Sequence, residues 1–469
     1  MCQLSPFRSE KAASHILYLT QTMSNPIAAI STPPGVGAIS CVRLSGPSAI
    51  PIADAVFQSK SRLAALPGYT AAPGRIIDGR RTVDQVVALV YRAPDSFTGE
   101  DMVEIFCHGS PVVAEKILRL LCQNGAQIAA PGEFTKRAFL NGKLDLTAAA
   151  AVADIIAAEN DLAIKNAAAM LDGTAHKEIT KIAETLTSLL ARVDASIDYS
   201  DDEELSQMEL PADILAQIHA RLKTLLDSYD IGKLVAHGVP TAIMGKPNVG
   251  KSTIMNLLLG TARSIVTDIA GTTRDVVSEH LRLKNCTLHL RDTAGIRDTD
   301  DFVESIGIGK AKQAIETAEL VLLVLDASHP LEEDDLSLLE QTKNKNTLII
   351  INKIDLQPDA NLVIPGYDPE SLLQISATDP AYLPALTSAI EQTLGVNKAA
   401  GYPFMLSNER QRALVARALV ALENLDLTAT ADLIAAGLDT ALSALLELIG
   451  TRVSEAVIDE IFSKFCVGK

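Results

Sequence analysis

Residues 241–260 read TAIMGKPNVGKSTIMNLLLG. A β-prone apolar run enters a Gly-x-x-x-x-Gly-Lys-Ser loop made by Gly245, Gly250, Lys251 and Ser252, and an apolar helical stretch leaves it. Glycines let backbone N–H groups close around phosphate oxygens, and the N-terminus of the following helix adds the positive end of its dipole. Lys251 is the residue type that reaches β- and γ-phosphates, and the Ser252 hydroxyl is a magnesium ligand. Asn248, Val249 and Thr253 belong to the same cradle. A plain glycine turn is a poor reading of this strand–loop–helix context. Downstream, the β-prone runs ELVLLVLDA (319–327), TLIIINKID (347–355) and LLQISA (372–377) alternate with helical stretches. That alternation predicts a doubly wound parallel sheet, an α/β nucleotide-binding domain.

INKID supplies Asn352, Lys353, Ile354 and Asp355 at a strand end, about a hundred residues after the loop. A fixed carboxylate accepts from both the ring N–H and the amino group of guanine, whereas adenine offers no such pair. The spacing resembles the guanine signature of GTPases, and Ser376, Ala377 and Thr378 resemble the base-cradling loop that follows it. GTP is the expected nucleotide.

DTAGIRDT (292–299) is the second switch, with Asp292, Thr293, Ala294 and Gly295 set to sense magnesium and the γ-phosphate. Small signalling GTPases carry a water-orienting Gln after that Gly; here the residue is Ile296, which cannot orient water. TDIAGTTRD (267–275) precedes it, with Thr267, Asp268, Ile269, Ala270, Gly271, Thr272 and Thr273. Thr273 and Ser252 are the expected magnesium ligands, with Asp292 acting through water. The segment resembles a loop of potassium-activated GTPases, in which backbone carbonyls at Thr267, Ile269 and Thr272 and the side chain of Asn248 surround the ion. Potassium against the phosphates would supply the positive charge that an arginine finger supplies elsewhere. Without the resemblance, this is an ordinary switch loop with Asn248 as a turn residue. Glu304, nine residues after Gly295, is the carboxylate able to orient water in place of the missing Gln; spacing alone also suits a solvated glutamate on a switch helix. Lys251, Asp292 and Glu304 are thus the expected catalytic residues.

The chain has 469 residues, of which 48% are hydrophobic, so several domains with ample core are available. No apolar run reaches the roughly 18 residues a spanning helix needs, and stable membrane insertion is not expected. Six scattered cysteines without a Cys-x-x-Cys pair suit reduced thiols in a cytoplasmic protein. A formal charge of −17 argues against a general nucleic-acid coat, but does not exclude a local RNA-binding patch. Residues 1–22 are expected to be an unstructured upstream extension. Residues 23–143 alternate β-prone runs with turns around one helix, PVVAEKILRLLCQNG (111–125), and predict an α+β domain. Residues 144–232 carry helical stripes such as Ile214, Ile218, Leu222 and Leu225, and helical texture returns at 399–469. The GTPase domain, 233–398, is therefore read as inserted into an all-α domain; separate helical domains on either side are the alternative.

STPPGVGAISCVRLSGPSA (31–49), SFTGEDMVEIFCHG (96–109), PGEFTKRAFLNGKLDL (131–146) and FCVGK (465–469) lie outside the GTPase domain. Together they resemble blocks of the tRNA modification GTPase family (MnmE, also called TrmE), which acts on the wobble uridine. Val36 stands where that family usually has an Arg, and residues 1–22 have no family counterpart. The resemblance implies an N-terminal domain that forms a homodimer and binds 5-formyl-tetrahydrofolate through Arg43, Glu104, Lys143 and the terminal Lys469. A carboxylate suits an aminopyrimidine edge, and cations suit the anionic tail. It further implies GTP-driven approach of two GTPase domains and a flavin-binding partner, MnmG, in a heterotetramer or larger complex. That partner brings FAD, and tRNA is the substrate, modified to 5-carboxymethylaminomethyl or aminomethyl uridine. Cys466 is open between a nucleophile and a small buried thiol. A ribosome-assembly GTPase acting as an RNA-binding switch is the competing reading; it would share the phosphate loop and NKID but not the flanking blocks.

Overall fold

The computed structural model describes residues 25–199, 210–260, 279–290, 315–357, 364, 366–369 and 372–469, so the expected extension at 1–22 lies outside it. The chain forms two compact units, one made by residues up to Ala153 with Leu446–Lys469, the other by Asp154–Leu445.

The first unit is α+β. Its strands are β1 (Ile27–Ile30), β2 (Ile39–Ser45), β3 (Phe57–Gln58), β4 (Thr70–Asp78), β5 (Arg81–Tyr91), β6 (Met102–His108) and β7 (Gln127–Ile128). They form one sheet in the order β3-β4-β5-β6-β2-β1-β7. All neighbours are antiparallel except the β1–β7 pair at the edge. Alternation puts Val42 and Leu44 of β2 and Val103 and Ile105 of β6 into a core with Ile50, Ile117 and Leu121. The intervening Arg43 and Glu104 face each other across the β2–β6 ladder on the opposite face.

Among the described residues 25–143, three α-helices accompany this sheet, not the single one expected: Ala49–Val56, Pro111–Gln123 and Glu133–Leu140. The first was hidden by Pro51, its third residue. Pro is tolerated there because the N–H groups of a first turn have no intrahelical partner. The last is only eight residues long, too short for a periodic signal.

The expected boundary at 143/144 falls inside a packed cluster. Leu146, Ala149 and Val152 of the Leu146–Ala157 helix pack with Phe139, Ile458, Phe462 and Phe465. Pro131 and Val467 then form a bridge, and Phe134 N–H donates to the Lys469 carbonyl at 3.2 Å. The chain end is thereby stitched to the N-terminal sheet domain.

The second unit holds the α/β domain. Its sheet has the order β13-β12-β11-β8-β10-β9, from β8 (Val239–Met244), β9 (Glu279–Arg282), β10 (Thr287–Leu290), β11 (Leu320–Asp326), β12 (Asn346–Asn352) and β13 (Leu373–Gln374). Only the β9–β10 pair is antiparallel. β11 reads LVLLVLD and is buried along its apolar length, the mark of a strand covered on both faces. The all-α part lies on both sides of this domain in sequence. The Ala212–Asp227 helix packs along the Glu409–Glu423 helix. Asn166 joins the halves as well, accepting from Met405 N at 2.7 Å and donating to its carbonyl at 3.1 Å. The nucleotide domain is inserted into a helical one. Among the described residues, no helix is long and apolar enough to cross a membrane.

Phe462, 2% exposed at the centre of the closing cluster, sets a test of this packing. Phe462→Ala is expected to lower stability by about 3–5 kcal/mol, read as a shift in the urea unfolding midpoint. Leu433→Ala, at a position 64% exposed, should stay within about 0.5 kcal/mol of the parent.

Candidate functional site

β8 ends at Met244, and the loop that follows fits only with glycine at its two ends. At Gly245 (φ 145°) an added Cβ would lie 2.4 Å from the Val324 carbonyl of β11. At Gly250 (φ 100°) it would lie 2.2 Å from Nδ2 of Asn352. The loop is therefore pressed against the sheet, with Val249 buried and Asn248 exposed in a left-handed conformation. The Lys251–Leu259 helix starts at once, so its first-turn N–H groups, which lie too early for an intrahelical acceptor, and its dipole end face the loop. Ser252 and Thr253 sit on that first turn.

Lys251 reaches back over the loop and donates to the carbonyls of Gly245 at 2.9 Å and Lys246 at 2.6 Å. Burial lowers its pKa, because desolvation disfavours the charged ammonium. A cation held, among the described residues, by two carbonyl dipoles at a helix N-terminus is suited to an anion such as a phosphate. Lys246 is engaged otherwise, with Glu332 at 2.9 Å and Asp335 at 2.7 Å.

The opposite end of the site is organised by Asn352, the last residue of β12 and 2% exposed. Its Nδ2 donates to the Val249 carbonyl at 2.8 Å, and its Oδ1 accepts from Ala377 N at 2.9 Å. One side-chain amide thus ties the phosphate loop to the 376–378 loop. Lys353 (φ 65°) turns back to Asp326 at the end of β11, 2.7 Å away. Burial raises the Asp326 pKa, but hydrogen bonds from Lys353 and Ser328 outweigh it and hold the carboxyl below its usual range. Ile354 N–H donates to the Ile375 carbonyl at 3.4 Å, leaving Asp355 exposed beyond it. Ser376 and Ala377 are buried, and the Ser376 hydroxyl lies 2.9 Å from that of Thr378. These groups gather beyond the carboxyl ends of β8, β11, β12 and β13, where doubly wound sheets bind ligands.

Thr267, Asp268, Ile269, Ala270, Gly271, Thr272, Thr273, Asp292, Thr293, Ala294, Gly295 and Glu304 lie outside the described residues.

A second cluster forms in the N-terminal unit. Arg43 clasps Glu104 Oε1 through Nε at 2.8 Å and through Nη2 at 2.7 Å. Tyr91 donates its hydroxyl to Glu104 Oε2 at 2.9 Å. Phe97 and Phe134 rings flank the guanidinium at 5.7 and 5.6 Å. The returning chain end places Gly468 beside it, and Arg43 Nη1 donates to the Gly468 carbonyl at 3.3 Å. Burial, and then the Arg43 charge, lower the pKa of Lys469, with Glu104 opposing. Arg43 takes Glu104 as its partner while the Lys469 charge lies near both, an arrangement that suits an anionic ligand group. Lys143 is spent elsewhere: its ammonium donates to the Pro94 carbonyl at 3.1 Å. Tyr91 and Asp326 escaped the sequence reading, although Asp326 ends an otherwise apolar strand and was the readable one. Cys466 is exposed rather than buried. Cys41 and Cys286 are buried, and burial pushes each up to about 12.

Residues 26–143 match the family model described as the GTP-binding protein TrmE N-terminus, and residues 146–466 match the MnmE helical domain. A Lactococcus lactis subsp. cremoris (strain MG1363) protein named tRNA modification GTPase MnmE is 44% identical over 460 residues, covering 96% of this chain and 100% of its own length. A protein of the same name from Streptococcus thermophilus (strain CNRZ 1066) is 43% identical over 454 residues, covering 94% and 98%. Another from Alkaliphilus oremlandii (strain OhILAs) is 38% identical over 462 residues, covering 95% and 100%.

Asp355 supplies the test of base recognition at this site. Asp355→Ala is expected to weaken GTP binding by roughly 10–100-fold, the worth of a lost pair of charged hydrogen bonds, while leaving the much weaker ATP binding unchanged. Titration of fluorescent analogues of both nucleotides reads the difference.

Proposed function

The chain belongs to the MnmE (TrmE) family of tRNA modification GTPases, and from that premise we propose a potassium-activated GTPase cycle that controls modification of the tRNA wobble uridine. The observation that carries the nucleotide half is the Asn352 clamp, which sets a phosphate loop and a base loop at the two ends of one site. In this cycle Lys251 holds the β- and γ-phosphates, and Asp355 accepts from guanine. Ser252, Thr273 and Asp292 would hold magnesium, which would neutralise charge on the phosphates.

Ile296 leaves water unoriented, and Glu304 takes that role. Asn248 and the carbonyls of Thr267, Ile269 and Thr272 would hold potassium, which supplies positive charge beside the phosphates. Asn248 supports this reading, since it is exposed in the loop, in a left-handed backbone conformation. Asp268, Ala270 and Gly271 complete the first switch; Thr293, Ala294 and Gly295 complete the second.

In the N-terminal domain, Arg43, Glu104 and Lys469 form the pocket for 5-formyl-tetrahydrofolate. Their charge balance supports an anionic tail at Arg43 and Lys469. Glu104 has both oxygens engaged, so its first task is to orient Arg43, and Lys143 must leave Pro94 to contribute. The division of the sequence at 23–143, 144–232, 233–398 and 399–469 is kept as a proposal, although Leu146, Ala149 and Val152 pack with the chain end in the first unit. A homodimer working in the cytoplasm with tRNA and the flavin-binding partner MnmG completes the scheme. Membership in the family displaces the ribosome-assembly reading.

Two measurements test this. With magnesium fixed, replacing KCl by NaCl at equal ionic strength should slow GTP turnover by about a hundredfold, the scale of one lost transition-state donor. Equal rates in both salts would remove the potassium. Nucleoside analysis of tRNA from a strain lacking this protein should show the unmodified wobble uridine, restored by the parent gene; an unchanged nucleoside profile would sink the modification role.

A further inference from the structure

We propose that Glu159, His280 and His289 form a binding site for one divalent transition-metal ion, zinc by preference, separate from the nucleotide site. All three belong to the second unit. His280 on β9 and His289 on β10 are direct partners in the antiparallel ladder. Such partners hold their Cβ atoms about 5 Å apart on one face of the sheet, and here the two rings stack at 4.2 Å with planes 21° apart. Glu159 faces both: Oε1 is 3.1 Å from His280 Nδ1, and Oε2 is 3.4 Å from His289 Nε2. The three donor atoms lie within 4.8 Å of one another.

The frame around them is fixed. Asn160, next to Glu159, caps the Asp161–Leu171 helix by accepting from Ala163 N at 2.8 Å, and it donates to the Val235 carbonyl at 3.0 Å. The His289 ring packs on Gly238, where a Cβ would lie 2.3 Å from Nε2. Gly238 thus leaves room for the His289 ring that a side chain there would take.

Two imidazoles and one carboxylate are the donor set of open zinc sites, with water as the fourth ligand. Ligands about 2.05 Å from a tetrahedral ion lie about 3.3 Å apart, so closing the site needs side-chain rotation alone, and Glu159, His280 and His289 are all partly exposed. In the ion-free form each imidazole donates an N–H to one carboxylate oxygen. On ion binding those protons shift to the other ring nitrogens, so both facing nitrogens present lone pairs. Magnesium prefers an all-oxygen shell, and so the ion of the nucleotide site does not compete here. In sequence, β9 and β10 lie between TDIAGTTRD and DTAGIRDT. An ion bound at this site would tie that hairpin to the helix junction at Glu159.

The test uses the full-length protein, stripped of metal and saturated with GDP and magnesium. Zinc is titrated calorimetrically, and cobalt is added as a spectroscopic probe. The parent should take up one equivalent per chain and show the visible absorption of four-coordinate cobalt. Removing a ligand should cost at least as much as removing an outer partner, so His280→Ala, His289→Ala and Glu159→Gln should each lose about tenfold or more in zinc affinity. His108→Ala, at an exposed histidine paired with Asp84 elsewhere, should bind like the parent. Zinc should also raise the melting temperature of the parent but not that of His280→Ala, an exposed replacement on an edge strand. No stoichiometric uptake by the parent, or parental affinity in all three ligand variants, would overturn the site.

Discussion

A single buried amide at Asn352 holds the nucleotide site together. Its two hydrogen bonds join the 245–250 loop, proposed to hold phosphate, to the 376–378 loop, proposed to hold the base, across 103 and 25 residues of chain. A buried amide left half-satisfied costs about 1–3 kcal/mol, so either bond alone would be a poor arrangement. Satisfied on both sides, it fixes the distance between the Val249 and Ala377 loops, where the proposed nucleotide would place its phosphates and its base. Gly250 is the other half of this constraint, because a side chain there would occupy the place of the Asn352 nitrogen. The continuous apolar core of β11 and β12 then keeps both loops on a rigid edge.

The N-terminal unit depends on a different long-range device. Packing of Phe462 and Phe465 on Leu146 and Phe139 brings the last residues of the chain back to the first sheet. Only then does the Gly468 carbonyl meet Arg43, across 425 residues. Arg43 and Glu104 come from adjacent strands in register, and the Tyr91 hydroxyl holds the far oxygen of the carboxylate. A charge pair so fully hydrogen-bonded is a positioning device more than a source of stability. Glu104 keeps the guanidinium flat between two aromatic rings while Lys469 adds the second cation.

Much of the fold was legible in the sequence because the decisive signals are local. Continuous apolar strands, a Gly-x-x-x-x-Gly-Lys-Ser loop and helical stripes such as Ile218, Leu222 and Leu225 report backbone needs within a few residues. The misses were local conflicts: Pro51 concealed one short helix, and Glu133–Leu140 offered too few turns to show a period. At the candidate site, the residue types of the phosphate loop were readable, since glycine is forced where backbone meets backbone. What those residues do to one another was not. Asn352 read as part of a guanine motif, with no hint that its amide spans two loops. Lys143 read as one of a foursome with Arg43, whereas proximity to Pro94 decides its hydrogen bond. The pairing of His280 with His289 required a strand register that no spacing rule supplies.

GTP affinity of Asn352→Ala, measured by calorimetry on protein shown to be folded by circular dichroism, tests the clamp most directly. If one amide fixes both loops, binding of GTP and GDP should fall together by about tenfold or more, because phosphate and base contacts lose their common support. Affinities within about twofold of the parent for both nucleotides would contradict it, and would mean that the sheet alone sets the two ends of the site.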